Sequence, residues 1–151
     1  MKKLLLFLFV AVAFTACKKG SEVAPQPNTV LADKFVGSYK LTSFRYTDSQ
    51  TDLDLPTLPT TSNGKMVSGT VTLTKISDTK VNMKLLLKTS GLDDYAQDFG
   101  DLDIKQEGSE YGLFSGTTRI ADAEGSTVIF NYSETDQSTN ETMAMAFVAK
   151  R

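Results

Sequence analysis

From Lys80 to Lys88 the side chains alternate: Val81, Met83, Leu85 and Leu87 take one parity, Lys80, Asn82, Lys84 and Lys88 the other, and Leu86 alone breaks the pattern. A period of two is the signature of a pleated strand, because successive side chains there point to opposite faces. On a helix the same four apolar residues would scatter around the axis. The segment before it, Met66 to Ile76, repeats the rule, with Val67, Gly69, Val71 and Leu73 opposed to Ser68, Thr70, Thr72 and Thr74. Ser77, Asp78 and Thr79 between the two runs are turn formers, so the pair predicts a hairpin with one dry face.

The remaining chain extends this theme. Gly37 to Tyr46 is rich in aromatic and β-branched residues and predicts a first strand. Short strands are expected over Asp101 to Gln106, Glu110 to Phe114, Thr117 to Ala121, Ser126 to Glu134 and Glu141 to Lys150, with Gly108, Gly116, Gly125 and the polar run from Thr135 to Asn140 as breaks. One stretch has another rhythm. Leu92, Tyr95, Ala96 and Phe99 recur at helical spacing between Ser90 and Gly100, which predicts a short helix or helical lid. The fold class expected is all-β, an antiparallel up-and-down barrel of about eight strands, since closure removes exposed edges. At that size the interior is filled by side chains or holds one small ligand. The long connection from Thr47 to Gly64, with Pro56 and Pro59, is unusual for a mere linker.

Ahead of the barrel stands a different kind of segment. Met1, Lys2 and Lys3 precede an apolar run from Leu4 to Phe14, then Thr15, Ala16 and Cys17. The run is about half of the ~20 residues that span a bilayer, so it reads as a signal peptide. The chain's one cysteine at that position resembles the lipobox of bacterial lipoproteins. The resemblance implies cleavage before Cys17 and attachment of a diacylglycerol and an acyl chain to it. Two or more chains give stable membrane anchoring. Residues 1–16 are then the signal, 17–30 a lipidated tether with Gly20, Pro25 and Pro27, and 31–151 the domain. Thirteen extended tether residues reach up to ~45 Å. Lys18, Lys19 and Gly20 come after Cys17 without the aspartate of inner-membrane retention or the acidic cluster of surface export. The expected place is the outer membrane, facing the periplasm, with surface exposure as the alternative.

The first strand carries a second resemblance. Phe35, Val36, Gly37, Ser38, Tyr39, Lys40 and Leu41 look like the G-x-W start of the first lipocalin strand, with Tyr39 in the tryptophan position. The long loop after it falls where lipocalins carry a lid over the barrel mouth. Lipocalin-like membership implies ligand or partner binding, not an activity, and leaves Arg119 and Arg151 as alternatives for the family's late arginine.

Chemistry is sparse elsewhere. The chain has no histidine, so neither a histidine triad nor a histidine metal site exists. Two acidic groups, Asp48, Asp52 and Asp54, and Asp93, Asp94, Asp98, Asp101 and Asp103, have no EF-hand spacing and read as solvated loop charge rather than a calcium site. No catalytic residue, no metal and no cofactor is expected, and the protein reads as a non-enzyme. After residue 16 there are 14 basic and 18 acidic residues, a balance that does not favour nucleic acid. Two sequons, at Asn131 and Asn140, are coincidental in a bacterial chain. Tyr39, Leu41, Met83, Leu85, Met143, Met145 and Phe147 are the candidates to line an apolar pocket, with plain core as their other reading. Two functions are compatible with these features: a barrel that binds a small apolar ligand, or a filled barrel that meets a protein partner through its loops.

Overall fold

The computed structural model describes residues 30–151. The expected signal segment, Cys17 and the expected tether up to residue 29 lie outside the described residues. A single 3-10 turn, Ala32–Lys34, precedes ten strands: β1 (Gly37–Thr47), β2 (Asp52–Leu55), β3 (Thr60–Ser62), β4 (Lys65–Ser77), β5 (Lys80–Thr89), β6 (Tyr95–Glu107), β7 (Glu110–Ser115), β8 (Thr118–Glu124), β9 (Thr127–Thr135) and β10 (Thr142–Lys150). Among the described residues no helix is long and apolar enough to cross a membrane.

From β4 to β10 each strand pairs antiparallel with its successor, and β1 closes the ring by pairing with both β10 and β4. The result is a closed antiparallel barrel of eight strands, the architecture that the alternation predicts. β1 serves two neighbours on one edge through its length. Gly37 to Lys40 lie on β4, and above them Phe44 to Thr47 lie on β2, while the opposite edge from Lys40 to Thr47 holds β10. The Thr47 to Gly64 connection is therefore structured, its two short strands continuing the wall where β1 and β4 part.

The inward parity is the predicted one. Tyr39, Leu41, Val71, Leu73, Val81, Met83, Leu85, Leu102, Leu113, Val128 and Phe147 are each at most 2% exposed, and among the described residues the buried set includes no charged side chain. Val30 and Leu31 already pack against this core.

The segment Ser90–Gly100 is a correction. Instead of a helix or helical lid, Tyr95 to Asp98 pair with Leu87 to Lys84 as the start of β6. Tyr95 and Phe99, four residues apart, share one parity of this strand, and the alternation then meets a bulge. Gly100, at φ +75°, sits between Asp98 and Asp101, and its amide donates to the Asp98 carboxylate at 2.8 Å. One extra residue resets the alternation. Leu85 and Leu87 face inward and so do their partners Gln97 and Tyr95, whereas beyond the bulge the inward positions are Leu102 and Ile104. Leu92 lies in the turn, 58% exposed.

Candidate functional site

The two ends of the barrel differ. At the base, the 3-10 turn folds over the opening, with the Ala32 amide donating to the Asp78 carbonyl at 3.0 Å. Phe35 lies beneath it, its ring 5.1 Å from that of Tyr111. The Tyr39 hydroxyl donates to the Phe35 carbonyl at 2.6 Å and accepts from Arg151 Nη2 at 2.8 Å. Arg151 also donates to the Val36 carbonyl at 2.8 Å, and its guanidinium lies 4.7 Å from the centre of the Tyr39 ring. Burial holds the Tyr39 phenol above its ordinary pKa, and the Arg151 charge partly opposes this. Of the two arginines left open by the sequence, Arg151 is the one that meets Tyr39. Arg119 lies on the wall among Asp122, Glu107 and Glu110, at 2.6, 2.7 and 3.3 Å.

The middle is plugged by aromatic rings. β7 reaches only Asp103 to Glu107 of β6, and β8 reaches only Thr127 to Phe130 of β9. Above this short hairpin the wall is completed by side chains. Phe130 and Phe147 stack with centroids 4.6 Å apart, and Phe99 packs on them at 4.7 and 6.1 Å.

The mouth is built from the opposite ends of the strands. Phe44, Tyr46, Leu53, Leu87 and Tyr95 enclose an apolar well of about 300 Å³. That is the lower end of the range of small-molecule sites. β1 supplies Phe44 and Tyr46, β2 pairs Leu53 opposite Tyr46, and β5 and β6 pair Leu87 opposite Tyr95. Beside the well a polar cleft of about 550 Å³ opens between the Asp48–Ser49 turn and the Glu134–Met143 hairpin. The two are linked through Tyr46, whose hydroxyl donates to Asp48 Oδ2 at 2.8 Å. Asp48 Oδ1 accepts from the Gln50 and Thr51 amides at 2.8 and 2.6 Å. These bonds, the Gln50 amide foremost, hold the Asp48 carboxyl below its ordinary pKa. Tyr132 donates likewise to Glu134 at 3.0 Å.

The sequence candidates are divided between these regions. Tyr39 belongs to the base, while Met83 and Leu85 are 0 and 1% exposed in the filled interior. Phe147 is part of the stack and Met145 is 7% exposed above it. Leu41 borders a small groove beside Pro59. Met143 stands at the rim, 37% exposed, where it lines the polar cleft. None of the seven lines the apolar well. Leu87 was legible as the next step of the Met83–Leu85 alternation, and Tyr46 as the end of the first strand. Leu53 and Tyr95 required the pairing of a loop strand and the bulged strand.

No protein-family model matches this chain, and no curated protein matches it. Among solved structures, a chain described as "De novo design of a fluorescence-activating beta barrel" is similar with a TM-score of 0.35 and 16% identity, covering 80% of this chain and 96% of that one.

The two acidic groups are dispersed. Lys80, Lys84 and Lys88, spaced along the outer face of β5, pair with Asp103, Asp98 and Asp94 at 3.1, 3.1 and 3.4 Å. Asp101 accepts from Asn82 at 3.3 Å. Among the described residues, no three acidic side chains are grouped as a metal ion would need.

Proposed function

We propose that this protein is a lipid-anchored, lipocalin-like barrel of the bacterial envelope that binds a small apolar ligand in its mouth, without catalysing a reaction. The observation that carries the reading is the well of about 300 Å³ at the open end of a barrel whose other end is covered by its own chain. A site confined to one end, apolar inside and edged by a few polar groups, is the usual form of a small-molecule pocket. The contact of Arg151 with Tyr39 supports the lipocalin-like assignment, because it joins the first strand to the chain's last residue where the resemblance left an arginine open. The Met1–Cys17 pattern supports anchoring through Cys17, and Lys18–Lys19–Gly20 supports the periplasmic face of the outer membrane.

Native mass spectrometry of the protein purified from its own host, combined with solvent extraction, tests the ligand reading. A small apolar molecule that copurifies, and is lost in a Leu87→Asp variant, is the expected result. A ligand-free barrel in both preparations overturns it. Anchoring is tested by palmitate labelling of the wild type against Cys17→Ser, with label expected in the wild type only.

A protein partner is the second reading, favoured by one observation. Met66 and Leu92 are 61 and 58% exposed on adjacent mouth segments, joined by the Ser90 amide donating to the Met66 carbonyl at 2.9 Å. Paired exposed apolar side chains of this size often mark contact surfaces.

A further inference from the structure

The charge of the domain is distributed unequally along the barrel axis. Over residues 30–151 there are 17 acidic and 12 basic side chains, a net of −5. Three mouth segments, residues 45–65, 88–94 and 134–142, hold eight acidic and three basic residues, a net of −5, which leaves the rest of the domain neutral. Of the two mouth lysines, Lys88 is paired with Asp94 at 3.4 Å. No basic side chain lines the apolar well, whose walls include the rings of Tyr46 and Tyr95. Asp48 accepts from the hydroxyl of Tyr46, which is part of the wall of that well, and lines the adjoining cleft together with Glu134.

We propose that the mouth selects a cationic apolar ligand: an amine or quaternary ammonium group carried on a small aromatic or aliphatic body. The inference rests on the reading of the mouth as a ligand site and adds the sign of the ligand's charge. The apolar body enters the well between Leu53, Leu87 and the tyrosine rings. The cationic head stays at the rim, where ring faces attract it and the carboxylates lower its energy. An anionic head at the same depth meets the same carboxylates with the opposite sign and finds no basic residue on the wall. The field of a one-signed rim around a low-dielectric recess also raises the local concentration of cations and speeds their entry.

Three probes with one ring system separate charge from shape: 1-naphthylmethylamine, 1-naphthalenemethanol and 1-naphthoate. Their fluorescence is titrated with the full chain carrying Cys17→Ser, at low and high salt. The expected order is amine, then alcohol, then naphthoate, with the amine about fivefold tighter than the alcohol at low salt. The gap narrows at high salt, because rim charges are screened over about one Debye length. It narrows also in a double variant, Asp48→Asn with Glu134→Gln, which keeps side-chain oxygens for the Gln50, Thr51 and Tyr132 donors. Equal binding of all three probes, or tighter binding of naphthoate, overturns the charge selection and leaves the ligand site standing. Failure of all three to bind overturns both.

Discussion

The base and the mouth of this barrel are made from the same strands, yet they solve opposite problems. At the base, apolar side chains are covered by the 3-10 turn, and the buried Tyr39 hydroxyl has partners in Phe35, Gly125 and Arg151. At the mouth the same alternation continues one step further, but the residues that arrive there, Tyr46, Leu87 and Tyr95, meet a well instead of a packed neighbour. The difference lies in how the strands are connected at each end. Tight turns such as those between β4 and β5 and between β8 and β9 close the base, while the excursion through β2 and β3 and the Thr135–Thr142 hairpin end spread the mouth apart. The most deeply buried side chains, such as Tyr39, Val81 and Val128, therefore stand low in the barrel, and Tyr95, 45% exposed, stands at the mouth.

The sharpest way to break this comparison is to truncate one residue from each region. Leu85→Ala, in the filled interior, is expected to cost about 3 kcal/mol of unfolding free energy, the range for a buried leucine that leaves a cavity. Tyr95→Ala, 45% exposed at the mouth, is expected to cost under about 1 kcal/mol while weakening ligand binding. Urea unfolding of both variants checks the pair, and comparable losses would show that the mouth is as structural as the core.

Tyr39→Phe addresses the base alone. Leaving the Phe35 carbonyl and Arg151 without the hydroxyl is expected to cost about 1 to 2 kcal/mol near neutral pH. Burial raises the folded-state pKa of Tyr39 above its ordinary 10.0, so the stability tied to its neutral form is complete below pH 10 and is lost as pH rises through the folded value. The wild type should thus lose stability above pH 10, and Tyr39→Phe should lose less over the same interval. An identical alkaline slope in both proteins would remove Tyr39 from this role.

The mouth titrates at the other end of the scale. Asp48 has a folded pKa below its ordinary 3.8, so its bonds to the 50–51 amides persist above that value and fail as pH falls through the folded one. Amide proton shifts of Gln50 and Thr51 are expected to move together with a midpoint below 3.8. A midpoint at or above that value would mean that the turn does not hold the carboxylate. The smallest effect is expected at Leu92→Ser, within about 0.5 kcal/mol of the wild type in stability, since the side chain is already in water. A loss of partner capture with stability unchanged would favour the second functional reading.

Much of the barrel was legible because alternation is local. Val67 to Leu73 and Val81 to Leu87 declare their faces within a few residues, and every one of the eight barrel strands is expected from such runs and their turn residues. The helix expected near Ser90 shows where this fails. Tyr95 and Phe99 share one parity of β6, so their spacing of four fits a strand as well as a helix, and only the pairing with β5, which a local window does not contain, decides between them. The candidate site was less legible for a related reason. Tyr39, Met83 and Leu85 carry the strongest apolar signal, but a strong apolar signal identifies what is buried and does not separate a lined cavity from a filled one.

Amino-acid order by itself determined the strand faces, the number of barrel strands and the lack of histidine chemistry, because each is a property of neighbouring residues or of composition. Tertiary structure alone decided that Arg151 rather than Arg119 meets Tyr39, that Phe99 completes the wall beside Phe130 and Phe147, and that the free space lies at Tyr46, Leu53 and Tyr95. Those outcomes depend on strand register and on the depth at which each side chain sits. Both are fixed only when residues far apart in the chain, such as Tyr39 and Arg151, are brought together by closure of the ring.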